Sequence, residues 1–330
     1  MPFTLRLERA APPVSSDDPH AVALAFLRKV GVVGEGYDPL SADGQGPEGS
    51  APVSVLVDCF LAEPERSWSA AEIAKQTKHP LGQVYRALWK MQGLDWLTDS
   101  GRPGKVALAG RRYRLRFGSL TQAWSFTELA AGHCLSSYAA MAKAIEEKMA
   151  PARAKGAAQP APKESKPAAE RAEFVIRLCD EVELPAQNAR EMGASFLSAL
   201  GVIPERTGGR KPQQLPSFRV FFNGFLVGGE RWQGFEELAQ SAGATRPTLL
   251  KHLRRLEGLD LIERTAFEDE YGFPRRHWRL RHGSLTRAFE FTDARARLAL
   301  DSMARWAEHL ESLTRNGKVA ARKARASRTR

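Results

Sequence analysis

The chain writes one fifteen-residue stretch twice. YRLRFGSLTQAWSFT occupies residues 113–127 and WRLRHGSLTRAFEFT occupies 278–292, with ten of fifteen positions identical at an offset of 165. Two further pairs keep that offset: LWKMQGLDWL (88–97) with LRRLEGLDLI (253–262), and FLAEPER (60–66) with FLVGGER (225–231). Upstream the likeness weakens and the offset drifts. It is 171 for FTLRL (3–7) with FVIRL (174–178), and 170 for AFLRKVGVV (25–33) with SFLSALGVI (195–203). A fold assigned to one half must therefore serve the other. Each half reads as a short strand, a helix, a variable loop rich in Gly, Pro and Ser, and a module of about 100 residues. A length of 330 residues accommodates two such units.

Composition sets the expected boundaries. Residues 1–50 form the strand–helix segment and variable loop of the first repeat, and 51–150 its module. A flexible linker of Ala, Pro, Lys and Gly without apolar period covers 151–171. Residues 172–215 are the second strand–helix segment, 216–314 the second module and 315–330 a basic, disordered tail. The net charge is +11, and two stretches hold nearly all of it. Residues 149–172 carry five basic and two acidic groups, and 315–330 carry seven basic and none acidic, leaving the remainder close to neutral. A basic tail without apolar periodicity cannot bury enough surface to fold alone; it reads as an electrostatic arm for a polyanion or as a solubilising end. No apolar run approaches the ~18 residues of a bilayer span, and the N-terminus lacks a basic-then-apolar signal layout. The chain reads as cytoplasmic and nucleoid-associated, with no membrane partner. Cys59, Cys134 and Cys179 are scattered, without a CxxC pair, and read as small buried apolar groups.

The second module gives the clearest order of elements. PSFRVFFNGFLVG reads as a first helix, and GFEELAQSAG as a short amphipathic helix closed by Gly243. TRPTLLKHLRRLEGLD follows, capped at Thr245 with proline in its first turn, and Leu249, Leu253 and Leu256 make one apolar stripe. LIERTAFEDEYGFPRRHWRLR reads as two strands joined around Gly272-Phe273-Pro274. A long helix then starts at Ser284; at its counterpart, Ser119, Gln122 completes a capping-box pattern that Arg287 replaces in the second copy. The first module matches less closely, with SAAEIAKQTKH (69–79) opened by a Ser69/Glu72 capping box and followed by PLGQVYRALWKMQGLDWL (80–97).

TRPTLLKHLRRLEGLDLIER (245–264) resembles the recognition-helix-to-wing segment of the MarR/ArsR-type winged-helix superfamily, with its Ser/Thr-rich helix start, Leu stripe, "LE", glycine and "LIER". The resemblance covers about 70 residues in each half and leaves 1–50 and 171–215 outside it. It implies a mainly α fold with small β-hairpin wings (an α+β class): a tandem, duplicated winged helix-turn-helix with long C-terminal helices. It also implies double-stranded DNA as partner, because a helix fits the major groove and its exposed N-terminal residues reach base edges.

Arg246, Thr248, Lys251, His252 and Arg255 point away from the Leu stripe of the second copy; in the first, Gln83, Arg86 and Lys90 stand at matching positions beside Leu81 and Ala87. The wings supply Arg102, Lys105, Arg111 and Arg112 in the first copy, with Arg114 and Arg116 beyond, and Arg275 and Arg276 in the second, with Arg279 and Arg281 beyond. Glu268, Asp269 and Glu270 near the second wing tip would be repelled by DNA, so that wing tilts away or meets protein. Leu115 and Leu280, inside the shared RLR, are expected to face the core. Leu120, Trp124, Ala130, Leu135, Tyr138, Met141 and Ile145 approximate a stripe after the first wing, and Leu285, Phe289, Leu298, Leu300 and Trp306 after the second. Helices of thirty residues would run about 45 Å, longer than one module needs. They either pack the two copies together and serve self-association, or fold only onto their own modules.

The expected function is sequence-specific binding of duplex DNA, as a transcriptional regulator acting as a single-chain pseudo-dimer with two recognition helices. A replication initiator on iterated repeats and a protein-interaction scaffold are the alternatives. No enzyme, cofactor or metal is expected: His133 and Cys134 adjoin on a helix without a partner base, the seven histidines show no HxH or HExxH spacing, and GRPGK (101–105) lacks the full phosphate-loop pattern.

Overall fold

Both halves build the same succession of elements because both repeat the same apolar periods and stop signals. The structure, a computed structural model, describes residues 3–7, 17–33, 49–99, 110–153, 174–178, 188–204, 208–268 and 271–328. The described fold is mainly helical with small antiparallel sheets, the expected α+β class. In chain order the first half holds β1 (Phe3–Leu7), α1 (Pro19–Lys29), α2 (Ala51–Ser54), β2 (Trp68–Ser69), α3 (Ala70–Thr77), α4 (Leu81–Gly93), β3 (Leu97–Asp99), β4 (Arg112–Leu115) and α5 (Leu120–Arg153). The second holds β5 (Phe174–Leu178), α6 (Ala189–Ala199), α7 (Pro216–Arg219), β6 (Gln233–Gly234), α8 (Phe235–Ala242), α9 (Arg246–Gly258), β7 (Ile262–Glu268), β8 (Pro274–Leu280) and α10 (Leu285–Arg328). α2 and α7 run without a break into π-helical stretches, Val55–Leu61 and Val220–Leu226. Each half has a three-stranded antiparallel sheet of the same order, β2-β4-β3 and β6-β8-β7.

The compact units cut across the boundaries expected at 150 and 314. One unit comprises residues 1–131 and 298–330, the other 132–297. The beginning of each long helix belongs with its own half and the end with the other, so α5 is divided between residues 131 and 132 and α10 between 297 and 298. In the first unit Phe26 stacks on Trp96 at 5.4 Å, and Trp124 meets both rings. Trp96 Nε1 donates to Thr127 Oγ1, which donates to the Leu94 carbonyl. In the second unit Phe289 meets Tyr138 and Phe196 edge-on, and Thr292 donates to the Leu259 carbonyl, repeating the Thr127 bond.

The helix-start expectation changes at Ser119. Its Oγ accepts from Gln122 N, but the carboxylate that closes on the first turn is Glu311, from the second half of α10 in the same unit. Glu311 accepts from Ser119 Oγ, Thr121 N and Thr121 Oγ1 at 2.9, 3.1 and 2.8 Å. In the second unit Glu146, near the end of α5, accepts from Ser284 Oγ, Leu285 N and Thr286 N. Burial pushes Glu311 up, but the bonds from Thr121 and Ser119, with Arg315 nearby, outweigh it and hold the carboxyl below its usual range. The cap is therefore tertiary, which explains why Arg287 can replace the box residue.

Two stripe positions also change. Leu298 is 72% exposed, because the buried face of α10 runs through Phe289, Ala296, Leu300 and Met303 and leaves Leu298 on the far side. Ala130 is half-buried, with Ala131 taking the core position. Leu115 and Leu280 are buried, as the pattern predicts.

Candidate nucleic-acid interface

Start with the turn before α9. Gly243 ends α8 in the left-handed region at φ 57°, Thr245 takes the N-cap position in extended backbone, and Pro247 lies in the first turn. Leu249, Leu253 and Leu256 are buried, which turns Arg246, Lys251, Arg254 and Arg255 outward. The Thr245 hydroxyl lies 3.0 Å from that of Thr248 rather than on a backbone amide. Arg246 sits over the Phe235 ring at 5.4 Å. Among the described residues Arg246, Lys251 and Arg254 have no carboxylate within 4.0 Å.

Several other arginines of this unit behave differently. Arg279 meets Glu263 at 2.6 Å, and Arg281 and Arg295 both meet Asp260, at 2.7 and 2.9 Å. Arg264 lies 3.8 Å from Glu257, which also accepts from Trp278 Nε1. Of the shared RLR arginines, Arg279, Arg281 and Arg116, the last 3.0 Å from Asp95, are thus ion-paired, while Arg114 donates to the Thr98 hydroxyl.

Two expected contacts are committed to the fold instead. Lys90 Nζ donates to the Val32 carbonyl at 2.6 Å, and burial holds its pKa below the ordinary lysine value. Arg255 donates to the Gly201 carbonyl. Both residues tie the last turns of α4 and α9 to the chain just past α1 and α6 while their side chains stay exposed. His252 is half-buried, and burial first, then Lys251 and Arg255, lower its pKa, which keeps the ring neutral at ordinary pH.

On α4 of the first unit Gln83 and Arg86 are exposed, while Ala87 is buried beside the Val84, Leu88 and Met91 stripe. Arg111 pairs with Asp99 at 3.4 Å, and Arg112 bridges Ser67 O and Glu72. Arg102 and Lys105 lie outside the described residues, as do Asp269 and Glu270 of the second wing. Arg275 and Arg276 are exposed on β8, opposite Phe267 and Ala266. They line a groove of about 1160 Å³ with Arg246, Trp232 and Phe235.

Sequence reading missed two exposed helix positions at the same register. Arg254 stands one helical step from Lys251, and its counterpart in α4 is Trp89, 62% exposed. The signal was present in the 165-residue offset, which pairs the two positions. Cys59 is buried, and burial with Asp58 and Glu63 pushes its thiol up to about 12, leaving it a protonated, unreactive group. Compared with known families, curated proteins and solved structures, the chain matches none of them. No helix among the described residues is long and apolar enough to cross a membrane.

Proposed function

We infer that the protein binds double-stranded DNA through two winged helix-turn-helix modules carried on one chain, with α9 and α4 as recognition helices. The observation that supports this most is the cationic face of Arg246, Lys251 and Arg254, which has no carboxylate beside it, in a unit where Arg231, Arg264, Arg279, Arg281, Arg295 and Arg297 each pair with one. An exposed guanidinium or ammonium without an internal carboxylate is free to donate to guanine O6/N7 or to a phosphate. Thr248 and Gln83 add hydrogen-bonding groups, and Arg275 and Arg276 supply wing cations. Lys90 and Arg255 drop out of the contact set.

The role is transcriptional control at a pair of unlike half-sites, since α4 and α9 carry different side chains. Fluorescence anisotropy with random duplex DNA across a salt series tests the reading. Tight binding at low salt with a steep log–log slope is expected; absence of binding at low salt overturns it. One observation favours a protein partner for the first unit alone: Trp89 and Leu81 are exposed on α4 where α9 carries Arg254 and Arg246. Retention of full DNA affinity by Arg86→Ala and Gln83→Ala would move that unit to the protein-binding role.

A further inference from the structure

Beside the start of α9 lies a groove of about 670 Å³, formed by the first turn of α6, the 3₁₀ turn Pro212–Gln214, and α7 with its π-helical extension. Three exposed cations line it: Arg190, Lys211 and Arg219. Asn188, Gln213, Gln214 and Asn223 add side-chain amides, and Glu191 is the one carboxylate of the lining. Arg190 donates to Asn223 Oδ1 at 3.5 Å and lies 5.1 Å from the Phe222 ring. Neither Lys211 nor Arg219 has a carboxylate within ion-pair distance among the described residues.

The groove is fastened to the turn that introduces α9. Asn223 Nδ2 donates to the Ser241 carbonyl at 3.3 Å. The Arg219 guanidinium lies against Gly243, where a methyl group on that glycine would meet it at 3.4 Å. Arg219 therefore stands beside the turn that leads into Arg246 and Thr248.

The described helices of the first unit repeat those of this scaffold with opposite chemistry. Asp18 caps α1 as Asn188 caps α6. His20 stands for Arg190, Ser54 for Arg219 and Asp58 for Asn223. His20 Nε2 and Asp58 Oδ1, 2.9 Å apart, repeat the Arg190–Asn223 pairing. Two carboxylates there would repel a phosphate; three cations and four amides in the second unit suit one, since Arg and Lys neutralise phosphates and amides donate to their oxygens.

We propose that the groove of Arg190, Lys211 and Arg219 is a clamp for the sugar-phosphate backbone, holding the strand that flanks the site read by α9, and that the second unit alone provides it. The clamp rests on the DNA reading above and adds to it a segment, 188–214, that the winged-helix resemblance does not cover. Phosphate contacts position a protein without reading sequence, so the clamp contributes affinity equally at every site.

The test uses the full chain and a double variant, Lys211→Gln with Arg219→Gln, titrated against selected and random duplexes over a salt series, with thermal unfolding as a folding control. The double variant should weaken binding to all sequences alike and flatten the log–log salt slope by about two, one for each phosphate contact removed. Arg219→Lys keeps the charge and should keep the slope. If the double variant proved unstable, Lys211→Gln alone should flatten the slope by about one. An unchanged slope in a folded variant, with wild type binding normally, overturns the clamp and leaves the DNA reading standing. Failure of wild type to bind at low salt overturns both.

Discussion

α4 and α9 are both thirteen residues long, follow the same kind of short capped helix and bury the same kind of apolar stripe, yet they face outward with different chemistry. α9 presents Arg246, Lys251 and Arg254; the same three positions of α4 hold Leu81, Arg86 and Trp89. Around them the difference repeats, with Asn223 and Arg190 in the second unit where the first has Asp58 and His20. Inside, particular positions keep one role in both units, although buried Trp68 and Trp96 correspond to Gln233 and Leu261. Thr127 and Thr292 cap the same carbonyl, Leu115 and Leu280 fill the same site, and Glu311 and Glu146 close on the same helix start. Packing constrains buried groups to near-fixed volume and full hydrogen bonding, while an exposed helix face is free to change. Two copies in one chain therefore let a shared frame carry two unlike surfaces.

The comparison can be broken first at the exposed faces. Lys251→Ala combined with Arg254→Ala should cost about 1–3 kcal/mol of DNA binding free energy per base contact removed, with less lost in Arg86→Ala. Footprinting should show the two variants weakening different half-sites; identical footprints would refute the two-reader arrangement.

The shared frame predicts equal effects instead. Glu311→Gln and Glu146→Gln should each lower stability by about 1–3 kcal/mol in urea titrations, because donors at the helix start lose a charged acceptor. Glu311 is 12% exposed, so water replaces it poorly. Its carboxyl is held below the ordinary value of 4.5. The stability it supplies is complete above the unfolded-state value and is lost as pH falls through the lower folded value. Wild type should therefore lose stability steeply in that acid range, and Glu311→Gln should show a shallower decline.

Smaller again are the two glycines that follow the sheets. Gly118 and Gly283 have φ of 63° and 69°, and a side chain at either would run into Glu65 or Glu230, which are themselves 165 residues apart. Alanine at either should cost about 1–2 kcal/mol from the left-handed backbone alone, checked by thermal unfolding, with matching losses in the two units. The least effect belongs to Trp89→Ala: an exposed ring contributes within about 0.5 kcal/mol to stability, so an unfolding midpoint near wild type is expected.

Much of the frame was legible in the residues because it depends on local rules. The Ser69/Glu72 box forms in both directions, Gly243 ends α8, and the Leu249, Leu253 and Leu256 stripe is buried. The site was legible only as a set of outward positions. Periodicity tells which way a side chain leaves a helix, not what waits within reach, so Lys90 and Arg255 looked like free heads until the Val32 and Gly201 carbonyls appeared beside them. Arg190, Lys211 and Arg219 lie 29 residues apart along the chain at their extremes, and nothing local marks them as one surface.

The sequence by itself determined the duplication, the order of elements and the local Ser69/Glu72 cap, since repeats, apolar periods and turn residues act over a few positions. Tertiary structure decided where each compact unit ends, because the stripes of α5 and α10 show that a face is buried without showing against what. It also decided which charges are spent inside the protein and which remain available, because ion pairing depends on distances that only the folded chain sets.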